Sequence, residues 1–187
     1  MHDYESERCK MKATGIVRRI DELGRIVIPK EIRRTLRIQE SDPMEIYMGD
    51  DGSIQLKKYS SVGGLREVAE AYVQALNGAF GLTAAVTDRE SCVAAAGRQR
   101  RWLLDKPLLD AIRRRLLGRQ VIEERNALLA QGQEAPFTAL LGVPILLEGD
   151  AVGGVFLLSA EGGPGLGDGA LQSLKTGALY LGRLLSV

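Results

Sequence analysis

The chain has 187 residues, 45% hydrophobic and 26% charged, with 25 Lys and Arg against 24 Asp and Glu. That is the make-up of a folded soluble protein, and no apolar run approaches the ~20 residues of a membrane span. The polar start MHDYESERCK lacks the apolar stretch of a secretion signal, and Cys9 and Cys92, far apart, read as reduced thiols of a cytoplasmic protein.

Residues 1–10 show no pattern and read as an extension. Two β-branched runs follow, Thr14–Ile20 (TGIVRRI) and Arg25–Ile28 (RIVI), and the "DELG" between them is turn chemistry. Pro29 suits the first turn of a helix, and "KEIRRTLRI", Lys30–Ile38, is that helix. Glu45–Gly49 and Ser53–Lys57 flank "DDG", a hairpin signal. The order ββαββ over residues 11–59 offers too few apolar residues for a core of its own, so the expected unit is a dimer whose strands complete one another.

"SSVGG", residues 60–64, is small and polar and reads as a linker. Residues 65–187 change texture. Leu65–Ala79 has helical spacing, Thr83–Thr87 and Cys92–Ala96 read as strands, and Leu103–Leu117 reads as a helix with Pro107 near its start. Leu140–Leu147 and Ala151–Ser159 form an apolar hairpin. "EGGPGLGDG" reads as a mobile loop before a last helix, Ala170–Leu185. The expected class is α+β, with a central antiparallel sheet and the first and last helices packed together.

Charge is unevenly placed. Residues 12–37 hold eight cations, Lys12, Arg18, Arg19, Arg25, Lys30, Arg33, Arg34 and Arg37, against Asp21, Glu22 and Glu31, whereas residues 61–187 hold thirteen of each sign. A polyanionic partner is expected at the first region. On a continuous helix Ile32 and Leu36 share the core face, and Lys30, Arg33, Arg34 and Arg37 share the far one. Arg18 and Arg19 are adjacent, so in a straight strand they point to opposite faces. Arginine suits phosphate because its planar fork bonds two oxygens at once.

The run "KATGIVRRIDELGRIVIPKEIRRTLRI", continuing to "LKKYS" at Ser60, resembles the DNA-binding domain of the AbrB-type transition-state regulators of spore-forming bacteria. "VTDRESCVAAAG" and "GVPILLEGDAVGGVFLLS" resemble, less specifically, the GAF domain that follows it in the sporulation branch of that family. The resemblance implies a swapped-hairpin dimer joined to a GAF-like α/β sensory domain. It further implies double-stranded DNA as partner, a tetramer through the C-terminal domain, and control of sporulation genes as activator or repressor. The family's DNA-contacting arginines correspond to Arg18, Arg25, Arg33 and Arg34, with Arg19 and Lys12 at further basic positions.

Other chemistries find little support. "GLGDGA" follows a strand, but no second strand remains to carry a ribose-binding acid. His2 is the sole histidine, so neither a metal site nor catalysis is expected. Asp88, Glu90, Glu123 and Glu124 read as turn and helix-surface acids, and Arg98–Trp102 with Arg113–Arg115 as solvated surface. A GAF-type domain can take a small effector, for which no residue stands out, and no cofactor is expected. An antitoxin of the MazE type shares the swapped hairpin, but its toxin-wrapping tail is short and unfolded alone.

Overall fold

The computed structural model describes residues 14–40 and 42–186. The expectations for the 1–10 extension, His2, Cys9 and Lys12 lie outside the described residues. The chain divides into two compact units, one ending at Lys58 and the other beginning at Tyr59.

In the first unit, Pro29 precedes helix α1, Lys30–Thr35. Strands β1, Met44–Met48, and β2, Ile54–Lys58, pair antiparallel with Ile46 opposite Leu56. The expected turn joins them. Gly52 has φ +77°, the Gly49 N–H donates to Ser53 O at 2.8 Å, and Asp51 Oδ1 accepts the Ser53 N–H at 2.9 Å.

Helix α1 is shorter than its sequence pattern. It stops at Thr35, Arg37 turns to φ +53°, and the Ile38 N–H reaches back to Arg33 O at 2.7 Å, a left-handed C-terminal cap. Arg37 therefore leaves the helix, which corrects the expected four-cation face to Lys30, Arg33 and Arg34. Leu36, expected to face a core, is 54% exposed.

The two runs expected as strands, Thr14–Ile20 and Arg25–Ile28, form no ladder in the single chain. Only the turn between them closes, with the Asp21 N–H donating to Arg25 O at 3.1 Å and the Gly24 N–H to Asp21 O at 3.0 Å. A strand needs a partner edge, and one chain supplies none here. Val17, Ile20, Ile26, Val27, Ile46 and Ile54 stay exposed. Among the described residues up to Lys58, only Pro29 is buried.

The second unit has a real interior. A 3-10 turn, Val62–Leu65, leads into α2, Arg66–Phe80. Then come β3 (Thr83–Asp88), β4 (Cys92–Ala96), α3 (Arg100–Leu103), α4 (Asp110–Leu117), β5 (Ile122–Ala127), β6 (Phe137–Leu147), β7 (Asp150–Ser159) and α5 (Ala170–Leu184). The five strands form one antiparallel sheet in the order β4-β3-β7-β6-β5. Val73 and Leu76 of α2 and Leu174 and Leu181 of α5 pack on one face; Leu103, Ile112, Leu116 and Phe137 pack on the other. Tyr72 joins α2 to α5 as expected: its hydroxyl donates to Ser173 O at 2.8 Å, and its ring lies where a Cβ at Gly177 would stand.

Four expectations for this unit are corrected. The 60–64 linker is not free chain, because Val62 is 1% exposed within the core beside α2. The helix expected over Leu103–Leu117 is two helices. Pro107 lacks the N–H that a helix interior needs, and Leu104–Leu109 turns at Asp105 (φ +58°) and meets the start of β4, where Asp105 N–H donates to Cys92 O at 2.9 Å and Cys92 N–H to Lys106 O at 3.1 Å. Glu123 and Glu124 lie on strand β5, whose polar "IEERNA" hid an edge strand. The first half of the glycine-rich loop is tied down: Gly163 N–H donates to Ala160 O at 2.9 Å and Ser159 Oγ to Pro164 O at 2.5 Å. No helix among the described residues is long and apolar enough to cross a membrane.

Candidate nucleic-acid interface

The first unit displays its cations on short, local scaffolds. Arg25 leaves the Asp21–Gly24 turn. Asp21 Oδ1 accepts the Leu23 N–H at 3.0 Å and the Arg25 N–H at 2.8 Å, while Oδ2 accepts Arg25 Nε at 2.7 Å. The carboxylate thus caps the turn and holds the guanidinium from its inner side. The Arg25 backbone N–H, then its side chain, keep the Asp21 carboxyl below its ordinary pKa. The Arg25 side chain remains 70% exposed, and its two terminal nitrogens meet no partner among the described residues.

Arg33 and Arg34 ride on α1, exposed beside Lys30. Among the described residues none of these three makes an ion pair. Arg18 and Arg19 are exposed at the end of the extended 14–20 run, and Arg18 Nη1 donates only to the neighbouring Val17 O at 3.2 Å. The pairing that would orient Arg18 and Arg19 to opposite faces is absent from one chain. Asp21 was missed as a site residue, although an acid four positions before Arg25 in a turn was the available signal. Arg37 was miscounted because helical periodicity carries no sign of where a helix ends.

The second basic zone is different in kind. Arg113 lies 3.2 Å from Glu90 and 3.7 Å from Asp110, Arg119 lies 3.1 Å from Asp150, and Arg115 pairs with Glu124. Its field is largely cancelled locally, so Arg18, Lys30, Arg33 and Arg34 of the first unit, which make no ion pair among the described residues, stand apart electrostatically.

A small basic module with an unfinished apolar hairpin, followed by a five-stranded α/β domain of GAF-like fold, is the build of a transcription factor. The profile "Stage V sporulation protein T C-terminal, transcription factor" matches residues 64–186, and "Antidote-toxin recognition MazE, bacterial antitoxin" matches residues 17–63. The chain is 39% identical to stage V sporulation protein T of Bacillus subtilis over 92% of its own length and 98% of the relative's. It is 67% identical to the transition state regulatory protein AbrB of the same organism, over 26% of this chain and 50% of that protein. The GAF domain of an Acinetobacter phosphoenolpyruvate-protein phosphotransferase superimposes with a TM-score of 0.52 at 14% identity, covering 65% of this chain and 82% of that one, which shows the fold alone. The chain belongs to the stage V sporulation protein T family of transcription factors.

Proposed function

We propose that the protein is a cytoplasmic, DNA-binding regulator of sporulation-stage genes, and that residues 11–59 dimerise to build the DNA surface. The observation that carries this is the combination of exposed arginines, of which Arg18, Arg33 and Arg34 make no ion pair among the described residues, with an apolar hairpin that one chain leaves uncovered. A second copy supplies the missing partner edges for 14–20 and 25–28, covers Ile46 and Leu56, and doubles the positive field. Arg18, Arg25, Arg33 and Arg34 hold phosphates and some base edges, with Arg19 and Lys12 adding charge. The α1 face carries no Asn or Gln, so selectivity leans on arginine readout and DNA deformability.

Residues 65–187, together with Val62, form the regulatory domain. Exposed Leu179 and Tyr180 on α5 support self-association of two dimers through it. The domain senses an effector instead of turning over a substrate. The antitoxin reading draws on the match at residues 17–63, but the chain beyond it folds around two buried clusters and is no unfolded tail.

Titrating a duplex operator against salt tests the proposal. With six to eight phosphates neutralised per dimer, log K against log salt slopes about −5 to −7. A slope near zero removes the electrostatic reading, and a protease-labile second unit restores the antitoxin one.

A further inference from the structure

The second unit contains a cavity that DNA binding does not use. It has a volume of about 560 Å³, within the range of small-molecule sites. It opens where the start of β3 and the ends of β4 and β7 meet the C-terminus of α2, with Asn77, Thr83, Arg98, Gln99 and Glu161 in its lining. The packed interior between the sheet and α3 and α4 is filled by Phe137 and Phe156, and Leu158 stands between the two, buried in that interior and lining the cavity.

Its walls are held in place. Gly97 has φ +103°, and a Cβ there would stand 2.9 Å from Thr83 Cα and 3.1 Å from Asn77 Nδ2, so only glycine lets β4 end this close. Thr83 Oγ1 donates to Gln99 Oε1 at 2.6 Å, and Asn77 Nδ2 donates to Leu82 O at 2.7 Å. Those bonds orient both amides. The Asn77 oxygen remains as an acceptor and the Gln99 amino group as a donor, each without a partner among the described residues. Pro164, at the tied half of the glycine-rich loop, closes against Gly81.

Two opposite charges complete the lining. Arg98 and Glu161 make no ion pair among the described residues, with each other or with any third group. Arg98 precedes Gln99 in the chain and Glu161 shares the cavity lining with Asn77, both charged residues being exposed, and a cation and an anion around one cavity suit a ligand that carries both charges. The Arg98 fork and the Gln99 amino group match a carboxylate, and Glu161 with the Asn77 oxygen matches an ammonium. Glu161 also disfavours di- and triphosphates by like-charge repulsion.

We propose that this cavity binds a small zwitterion with a free α-ammonium and a free carboxylate, the shared chemistry of amino acids and short peptides. The proposal deepens the effector-sensing reading of the second domain and rests on it.

The test uses the full chain. Its melting is followed with the proteinogenic L-amino acids in one arm and dipeptides in the other, and hits are measured by calorimetry. The expected result is a rise in Tm with members of one arm, about tenfold weaker binding or worse for Arg98→Gln, and no shift with N-acetylated or decarboxylated analogues. Whichever arm responds identifies the source. No shift in either arm, equal binding of acetylated analogues, or an unchanged Kd in Arg98→Gln overturns the site. Salt-dependent operator binding is run in parallel: if it persists while neither arm binds, the cavity proposal alone falls, and if it is also absent the regulator reading falls with it.

Discussion

Asp21 and Arg25 form a clasp in which one carboxylate both closes a turn and holds an exposed guanidinium, with Nε 2.7 Å from Oδ2. The contact leaves the outer fork of Arg25 available for two phosphate or base oxygens. Simple charge counting and this geometry make opposite forecasts for the loss of Asp21.

Asp21→Ala removes a negative charge from a surface that meets a polyanion, so charge alone calls for tighter binding. Positioning calls for weaker binding, and we expect a loss of about three- to tenfold in operator affinity, the scale of an exposed charged contact. Asp21→Asn keeps the turn acceptor and falls between the wild type and Asp21→Ala. The same carboxyl sits below its ordinary pKa, so its contribution is present above the unfolded value and fades as pH falls through the folded one. Affinities measured from neutral to acid pH, wild type against Asp21→Asn, check the sign; tighter binding by Asp21→Ala defeats the clasp.

Ile46 is 65% exposed in the single chain and lies opposite Leu56 in the hairpin. If dimerisation covers it, Ile46→Glu removes about 1.5–3 kcal/mol of burial per protomer and adds an unpaired charge. Sedimentation of residues 1–60 is expected to shift toward monomer, whereas Arg33→Ala stays dimeric and loses DNA affinity. A dimer unaffected by Ile46→Glu would place the interface elsewhere.

Gly177 lies beneath Tyr72, whose hydroxyl and ring occupy the position of an added Cβ. Alanine gains about 1 kcal/mol of helix propensity, but overpacking costs about 1–3 kcal/mol and the Tyr72–Ser173 hydrogen bond contributes about 1 more. Gly177→Ala is therefore expected to destabilise the second unit in denaturant melts. Combined with Tyr72→Ala the two effects are less than additive, because both act at one contact.

Cys92 is fully buried, and burial pushes its thiol up to about 12 from 9.0. The unfolded chain ionises this thiol first, so stability declines as pH rises from about 9 toward 12. Alkaline melts of the wild type against Cys92→Ala are expected to converge over that range. In the native state Cys92 should resist thiol reagents until the domain opens.

The antiparallel hairpins were legible because their signals are local. "DDG" forces the β1–β2 turn through Gly52, and the β6–β7 hairpin turns across "EGD" between two long apolar runs. Strand β5 was not legible: three consecutive residues, Glu123, Glu124 and Arg125, are charged and hide any alternation, and only its ladder to β6 makes it a strand. The sequence by itself determined where the charge lies, which residues are apolar, and that residues 11–59 lack a core. Tertiary structure alone decided that α1 ends at Thr35, where Lys58 Nζ donates to Arg37 O at 2.8 Å across 21 residues. It alone brought Asn77, Thr83, Gln99 and Glu161 around one cavity. Turn chemistry and charge are properties of neighbours in the chain, whereas caps, edges and cavities depend on contacts between residues far apart in it.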